Sequence, residues 1–178
     1  MADFQVCFNW LMDSEDRELK YAQVPDACPK GCAGPCFAIS GINSGAFPLQ
    51  FAKIAALPPA ERGDEVESFY QAAFWNPYVA QIASDDVAKR WLDAAVNMGE
   101  GTATKLMQKA VNDTFPGSAH LAEDGQLGPD TVNWTNSCGE QAVVAAFINQ
   151  RIAHYQAIAA ANPAKAKYLD GWLARARR

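Results

Sequence analysis

Apolar residues recur at helical spacing from the start of the chain. Phe4, Phe8 and Leu11 share one face, and a further four and three residues lead to Glu15 and Glu18. The pattern predicts an amphipathic helix over residues 3 to about 17. A carboxylate that continues a buried face is unusual, since a solvated helix turns its charge the other way. Partial desolvation favours the protonated form of such an acid, and an acid poised near neutral pH can donate a proton. The alternative is a polar helix end with Glu18 already in water.

From Lys20 to Gly45 the helical pattern disappears. Pro25, Pro29, Pro35 and several glycines predict a long loop, with Phe37-Ala38-Ile39-Ser40 as a short strand within it. A short helix is expected over 48–56, stopped by Pro58-Pro59, and another from Pro59 to about Trp75, ended by Asn76-Pro77. Ser84 suits the N-cap of a helix over Asp85–Met98, whose buried stripe is Val87, Trp91, Ala94, Ala95 and Met98. Gly99 suits its C-cap. Further helices are expected over Gly101–Asp113, Glu140–Ala160 and from Asn162-Pro163 to Ala176. Residues 114–128 read as a second loop, with Phe115-Pro116-Gly117 and Asp124-Gly125 as turns. The fold class is mostly α.

At 178 residues the chain fits one domain and can bury a real core. Hydrophobic content of 49% with 20% charge is that of a globular protein. A net charge of -5, with the basic residues scattered, argues against a general nucleic-acid surface. No apolar run approaches the ~20 residues that span a bilayer. Met1-Ala2-Asp3-Phe4 does not open a basic-then-apolar leader, so a cleavable signal peptide is not expected.

Five cysteines change this picture. Cys28, Cys32 and Cys36 are spaced four apart in the loop, while Cys7 and Cys138 are distant. The trio suits a disulfide with one thiol left over. Zinc is the competing reading, but C-x3-C-x3-C lacks the usual two-residue knuckle and has neither His120 nor His154 nearby. A disulfide without a leader points to export that reads no cleavable signal; otherwise the cysteines stay reduced in the cytosol.

In order, the landmarks resemble glycoside hydrolase family 108, peptidoglycan-cleaving enzymes of lysozyme-like helical fold. They are Leu11-Met12-Asp13-Ser14-Glu15 with Tyr21, Ala38-Ile39-Ser40, and Phe69-Tyr70 with Phe74-Trp75-Asn76. Next come Asp93-Ala94-Ala95-Val96-Asn97-Met98-Gly99, Asp124-Gly125-Gln126-Leu127-Gly128-Pro129-Asp130-Thr131 and Gly171-Trp172-Leu173-Ala174-Arg175. The family's Glu-Gly-Gly-Tyr is not intact. Glu18-Leu19-Lys20-Tyr21 keeps the Glu-to-Tyr spacing, whereas Glu15 keeps the spacing from the helix. The loop also carries a cysteine-bearing insert. A Cys-stapled wall hydrolase without a leader resembles the toxic effectors injected by type VI secretion.

The resemblance implies a single lysozyme-like domain over 1–178, with a catalytic part at 1–113 and a peptidoglycan-binding-like helical part at 114–178. It implies hydrolysis of β-1,4 glycosidic bonds with no cofactor, in the periplasm of a target bacterium. A cognate periplasmic immunity protein would cover the active site. A binding-only module and a phage or housekeeping endolysin are the alternatives. Cleavage needs an acid for the leaving oxygen and a stabiliser for an oxocarbenium-like transition state. Glu15 is the expected acid, and Glu18, Asp16 and Asp93 are the alternative or assisting carboxylates. Tyr21, Tyr70 and Trp75 are candidates to stack on sugars, Ser40 and Asn97 to hydrogen-bond them. Each also has a structural reading: core packing for the aromatics, turn or backbone bonding for Ser40 and Asn97, a buried hydrogen-bonding acid for Asp93, and for Asp16 a solvated helix-end acid, the reading the sequence favours.

Overall fold

Helix α1 (Phe4–Glu15) buries Cys7, Phe8, Leu11 and Met12, the i, i+3, i+4 stripe of an amphipathic helix. It stops at Glu15, so Glu18 lies beyond the helix and does not continue its face. The computed structural model describes every residue except Ala33 and 116–120; His120 and the Pro116-Gly117 part of the expected turn fall outside the described residues. The chain divides into two compact units, Phe4–Trp75 and Met1–Asp3 with Asn76–Arg178. The mostly α architecture is as the sequence implies.

In the unit Phe4–Trp75, α1 is followed by a three-stranded antiparallel sheet of β1 (Gln23–Asp26), β2 (Cys36–Ile39) and β3 (Ile42–Asn43). The expected loop thus holds a small sheet rather than one strand. β1 pairs Gln23 with Ile39 and Asp26 with Cys36. β1 is exposed throughout and contains Pro25, which suits an edge strand and hides the alternation that would have revealed it. β2 and β3 are joined by Ser40-Gly41, both at positive φ (46° and 80°), the backbone of a two-residue hairpin turn. Helices α2 (Pro48–Ala55) and α3 (Gly63–Phe74) complete the unit. Its core is aromatic: Phe8 lies 6.0 Å from Tyr70, and Phe47 meets Phe69 edge-on at 4.9 Å.

In the other unit, Asn76 caps the first helix. Its side chain accepts from the backbone of Tyr78 and Val79 at the start of α4 (Pro77–Ala80). Ser84 caps α5 (Asp85–Met98), and Gly99, at φ 86°, separates it from α6 (Glu100–Thr114). Helix α7 (Pro129–Ser137) was not expected; Pro129 in its first turn after Gly128 was the available signal. Helix α8 (Glu140–Ala161) follows. The last segment is two pieces, a 3-10 helix over Pro163–Tyr168 and then α9 (Leu169–Arg177).

The buried stripe of α8 is Val143, Phe147, Arg151, Tyr155 and Ala159, a strict i, i+4 series with an arginine at its centre. A buried guanidinium needs a counter-charge. Asp93 of α5 supplies it: one carboxylate oxygen accepts from Arg151, and the other accepts from Arg175 of α9 at 2.8 Å. Asp93 and Arg151 are both fully buried. This triad joins three helices. We expect Asp93→Ala to leave the fully buried Arg151 guanidinium without its carboxylate and to lower unfolding stability by about 3–5 kcal/mol. Urea denaturation followed by circular dichroism checks this; an unchanged midpoint would contradict it.

Candidate active site

Glu15 is the last residue of α1 and is half-buried. Its carboxylate lies against the backbone of Gly41 in the β2–β3 turn. A Cβ on Gly41 would collide with Glu15 Oε2 and lie 2.8 Å from the Tyr70 hydroxyl. The acid and the phenol therefore converge on the spot that a side chain at position 41 would fill. Gly41 satisfies two demands at once, positive φ and close approach.

The turn is held from both sides. Tyr70 donates to the Ser40 carbonyl at 2.7 Å. The Ser40 hydroxyl donates to Asp16 Oδ2, also at 2.7 Å. Asp16 further accepts from the backbone amides of Tyr21 (2.7 Å) and Lys20 (3.1 Å). Asp16 is thus half-buried and committed to three donors, not a solvated helix-end acid. Leu19 and Tyr21 take left-handed φ values of 48° and 49°. Together with Ser40 they are the non-glycine positive-φ positions among the described residues. Strained backbone of this kind persists only where its surroundings fix it, and it gathers at functional sites.

Arg62 was not singled out from the sequence. It is 8% exposed and donates to the carbonyls of Tyr21 (2.7 Å), Leu57 (2.9 Å) and Ala55 (3.2 Å), clamping the Tyr21 loop to the start of α3. An arginine before Gly63 gives no motif to recognise; only the fold shows its carbonyl cage. The Tyr21 ring packs near Gly63, and partial burial, followed by the charges of Asp16, Glu67 and Asp64, raises its phenol pKa. Tyr21 remains a neutral donor at physiological pH.

Glu15, Asp16, Tyr21, Ser40 and Tyr70 thus come together in one unit. Tyr70 is 1% exposed, so its ring is core and only its hydroxyl faces the turn. Glu18 is exposed and paired with Lys20. Trp75 packs edge-on against Phe4 at 5.4 Å. Phe4 opens the helix that Glu15 ends, roughly 16 Å away at the helical rise. Asp93 and Asn97 belong to the other unit. Asp93 is held between the two arginines, and Asn97 accepts from the Tyr155 hydroxyl.

Cys28 and Cys36 form a disulfide that closes the segment before β2. Cys32 Sγ lies 3.5 Å from Cys36 Sγ, and the three sulfurs fall within 4.8 Å of one another. The trio is a soft-metal donor set only when reduced, because a thiolate and not a disulfide binds metal.

Gly41→Ala should strain the turn and displace the Glu15 carboxylate. A loss of stability of about 1 kcal/mol or more is expected for an alanine at positive φ. If the Glu15 carboxylate acts on peptidoglycan, release of fragments from sacculi should fall further than that loss explains. Chemical denaturation alongside release of dye from labelled sacculi measures both, and full activity in the variant would deny the close approach any role.

Residues 102–177 match the family described as "Predicted Peptidoglycan domain". The match covers the C-terminal helices, less than half the chain, and supports an association with peptidoglycan. No curated protein matches the sequence. Among solved structures the chain is similar to SagA of Brucella abortus, at 17% identity and a TM-score of 0.66. The alignment covers 98% of this chain and 90% of that one. At that identity the likeness is one of fold. No helix among the described residues is long and apolar enough to cross a membrane.

Proposed function

We propose that the protein hydrolyses β-1,4 glycosidic bonds of peptidoglycan, with Glu15 as general acid. The observation that carries this reading is the half-buried Glu15 carboxylate set against bare Gly41 backbone, beside the Tyr70 hydroxyl and the Asp16–Ser40 pair. A carboxylic acid in such a place can protonate the leaving glycosidic oxygen. Asp16 holds the β2–β3 turn through Ser40 and the following loop through Tyr21, and so keeps the acid in position. Stabilisation of the oxocarbenium-like transition state falls to a water on the Asp16 side or to the substrate's N-acetyl group. Tyr21 is the aromatic best placed to line a sugar subsite.

The competing reading is a module that grips the wall without cutting it. One observation favours it: the peptidoglycan family match begins at residue 102 and does not include Glu15. Glu15→Gln separates the two. The amide keeps the shape but cannot donate an acidic proton, so turnover should fall by about a hundredfold or more while binding to sacculi persists. Mass spectrometry of the soluble products identifies the bond cut. Wild-type protein that releases no products, or a variant as active as wild type, would remove the assignment.

We further propose that the activity serves as an antibacterial toxin in a recipient periplasm, a setting that suits the Cys28–Cys36 bridge. Its producer then needs a tight inhibitor. A net charge of -5, with Glu15, Asp16 and Glu18 close in sequence, favours a basic partner over Glu15 and the Lys20–Gly45 segment. Periplasm-directed expression should lyse cells and be rescued by co-expression of a neighbouring reading frame. A housekeeping or phage endolysin would be lytic with no such protector.

A further inference from the structure

The Asp124-Gly125 turn belongs to the other unit from Glu15 and is anchored by a buried side chain. Gln108 of α6, 1% exposed, donates to Asp124 Oδ1 (2.8 Å), Thr131 Oγ1 (3.1 Å) and the Gln126 carbonyl (3.3 Å), and accepts from the Gly125 amide (2.9 Å). Gly125, at φ 78°, lies so close to α6 that a Cβ there would stand 2.7 Å from the Gly101 carbonyl oxygen. The clamp sets Asp124 at the edge of a cavity of about 440 Å³. Lys105, Lys109 and His154 line the same cavity, with Gly101, Thr102 and Leu106.

These groups form a charged site of both signs. The Gln126 amide, then Gln108 and more weakly Lys105, hold the Asp124 carboxyl below its usual range, so it is ionised. Lys109 is half-buried and, among the described residues, makes no ion pair with a carboxylate. Burial, then the charge of Lys109, lowers the pKa of His154, which leaves its imidazole neutral and able to hydrogen-bond. Among the described residues no aromatic platform other than that imidazole lines the cavity. In peptidoglycan the free carboxylates and the free amine belong to the stem peptide, while the glycan offers mainly neutral hydroxyl and N-acetyl groups.

We propose that this cavity binds the peptide stem of peptidoglycan, with Lys109 and Lys105 taking stem carboxylates and Asp124 taking the side-chain ammonium of the diamino acid. The proposal rests on the association with peptidoglycan and is independent of whether Glu15 cuts the glycan.

The test titrates a soluble stem pentapeptide carrying meso-diaminopimelate into the full-length isotope-labelled protein. Saturable shifts are expected for Lys105, Lys109, Gly125 and the His154 ring. Lys109→Glu should weaken binding by about tenfold, and thermal unfolding of that variant verifies its fold. Absent shifts in the wild type, shifts confined to residues outside this cavity, or unweakened binding by a folded Lys109→Glu would each overturn the proposal. Hydrolysis of intact sacculi by the wild type is measured in parallel. Failed peptide binding with intact hydrolysis removes the stem site alone, and the opposite result removes the Glu15 reading alone.

Discussion

One carboxylate sets the geometry of the unit Phe4–Trp75. Asp16, the first residue after α1, gathers the Ser40 hydroxyl and the amides of Lys20 and Tyr21. Those bonds oblige the chain to reverse through left-handed residues at 19 and 21 and bring the β2–β3 turn to the end of the helix. Charge-assisted hydrogen bonds of this kind are roughly twice as strong as neutral ones, enough to offset the backbone strain they impose. The position of Glu15 follows from its neighbour. Arg62 completes the arrangement by holding the Tyr21 carbonyl, so the loop is fixed at both its amide and its carbonyl.

The other unit solves a different problem with similar means. Its long helix α8 places a cation where the pattern calls for an apolar side chain. The Asp93–Arg151–Arg175 triad turns that liability into a tie among α5, α8 and α9. Such a triad contributes orientation more than net stability, since desolvation consumes most of its Coulombic gain. Arg151 also lies 5.9 Å from the Phe147 ring, which shares its stripe.

The helices were legible because their apolar spacing and their caps, Ser84 and Gly99 above all, are local signals. The exit of α1 was less so: periodicity carried the helix past Glu15 because the Asp16 network that ends it involves a residue 24 positions away. β1 was invisible, being exposed on both faces and carrying a proline. Of the site, the spacing Leu11-to-Glu15 drew attention to the acid, whereas Ser40 read as the end of a strand and only the structure puts it in the β2–β3 turn. The clamp by Arg62 was not legible, because it depends on what the folded chain brings beside it; for Tyr70 core packing was one of two readings, and its burial decides for it. Asp93 reads equally well as a catalytic or a structural acid until its two arginines are seen.

The cysteine trio bears on how the molecule matures. Any two of its sulfurs close a loop of only a few residues, so oxidation has no strong entropic reason to choose one pair first. Cys32, left reduced and exposed at 3.5 Å from Cys36, stands within reach of the bridge. A thiolate there can attack a mispaired bond and pass it on through exchange. The third cysteine thus keeps the three possible bridges interconvertible within the segment.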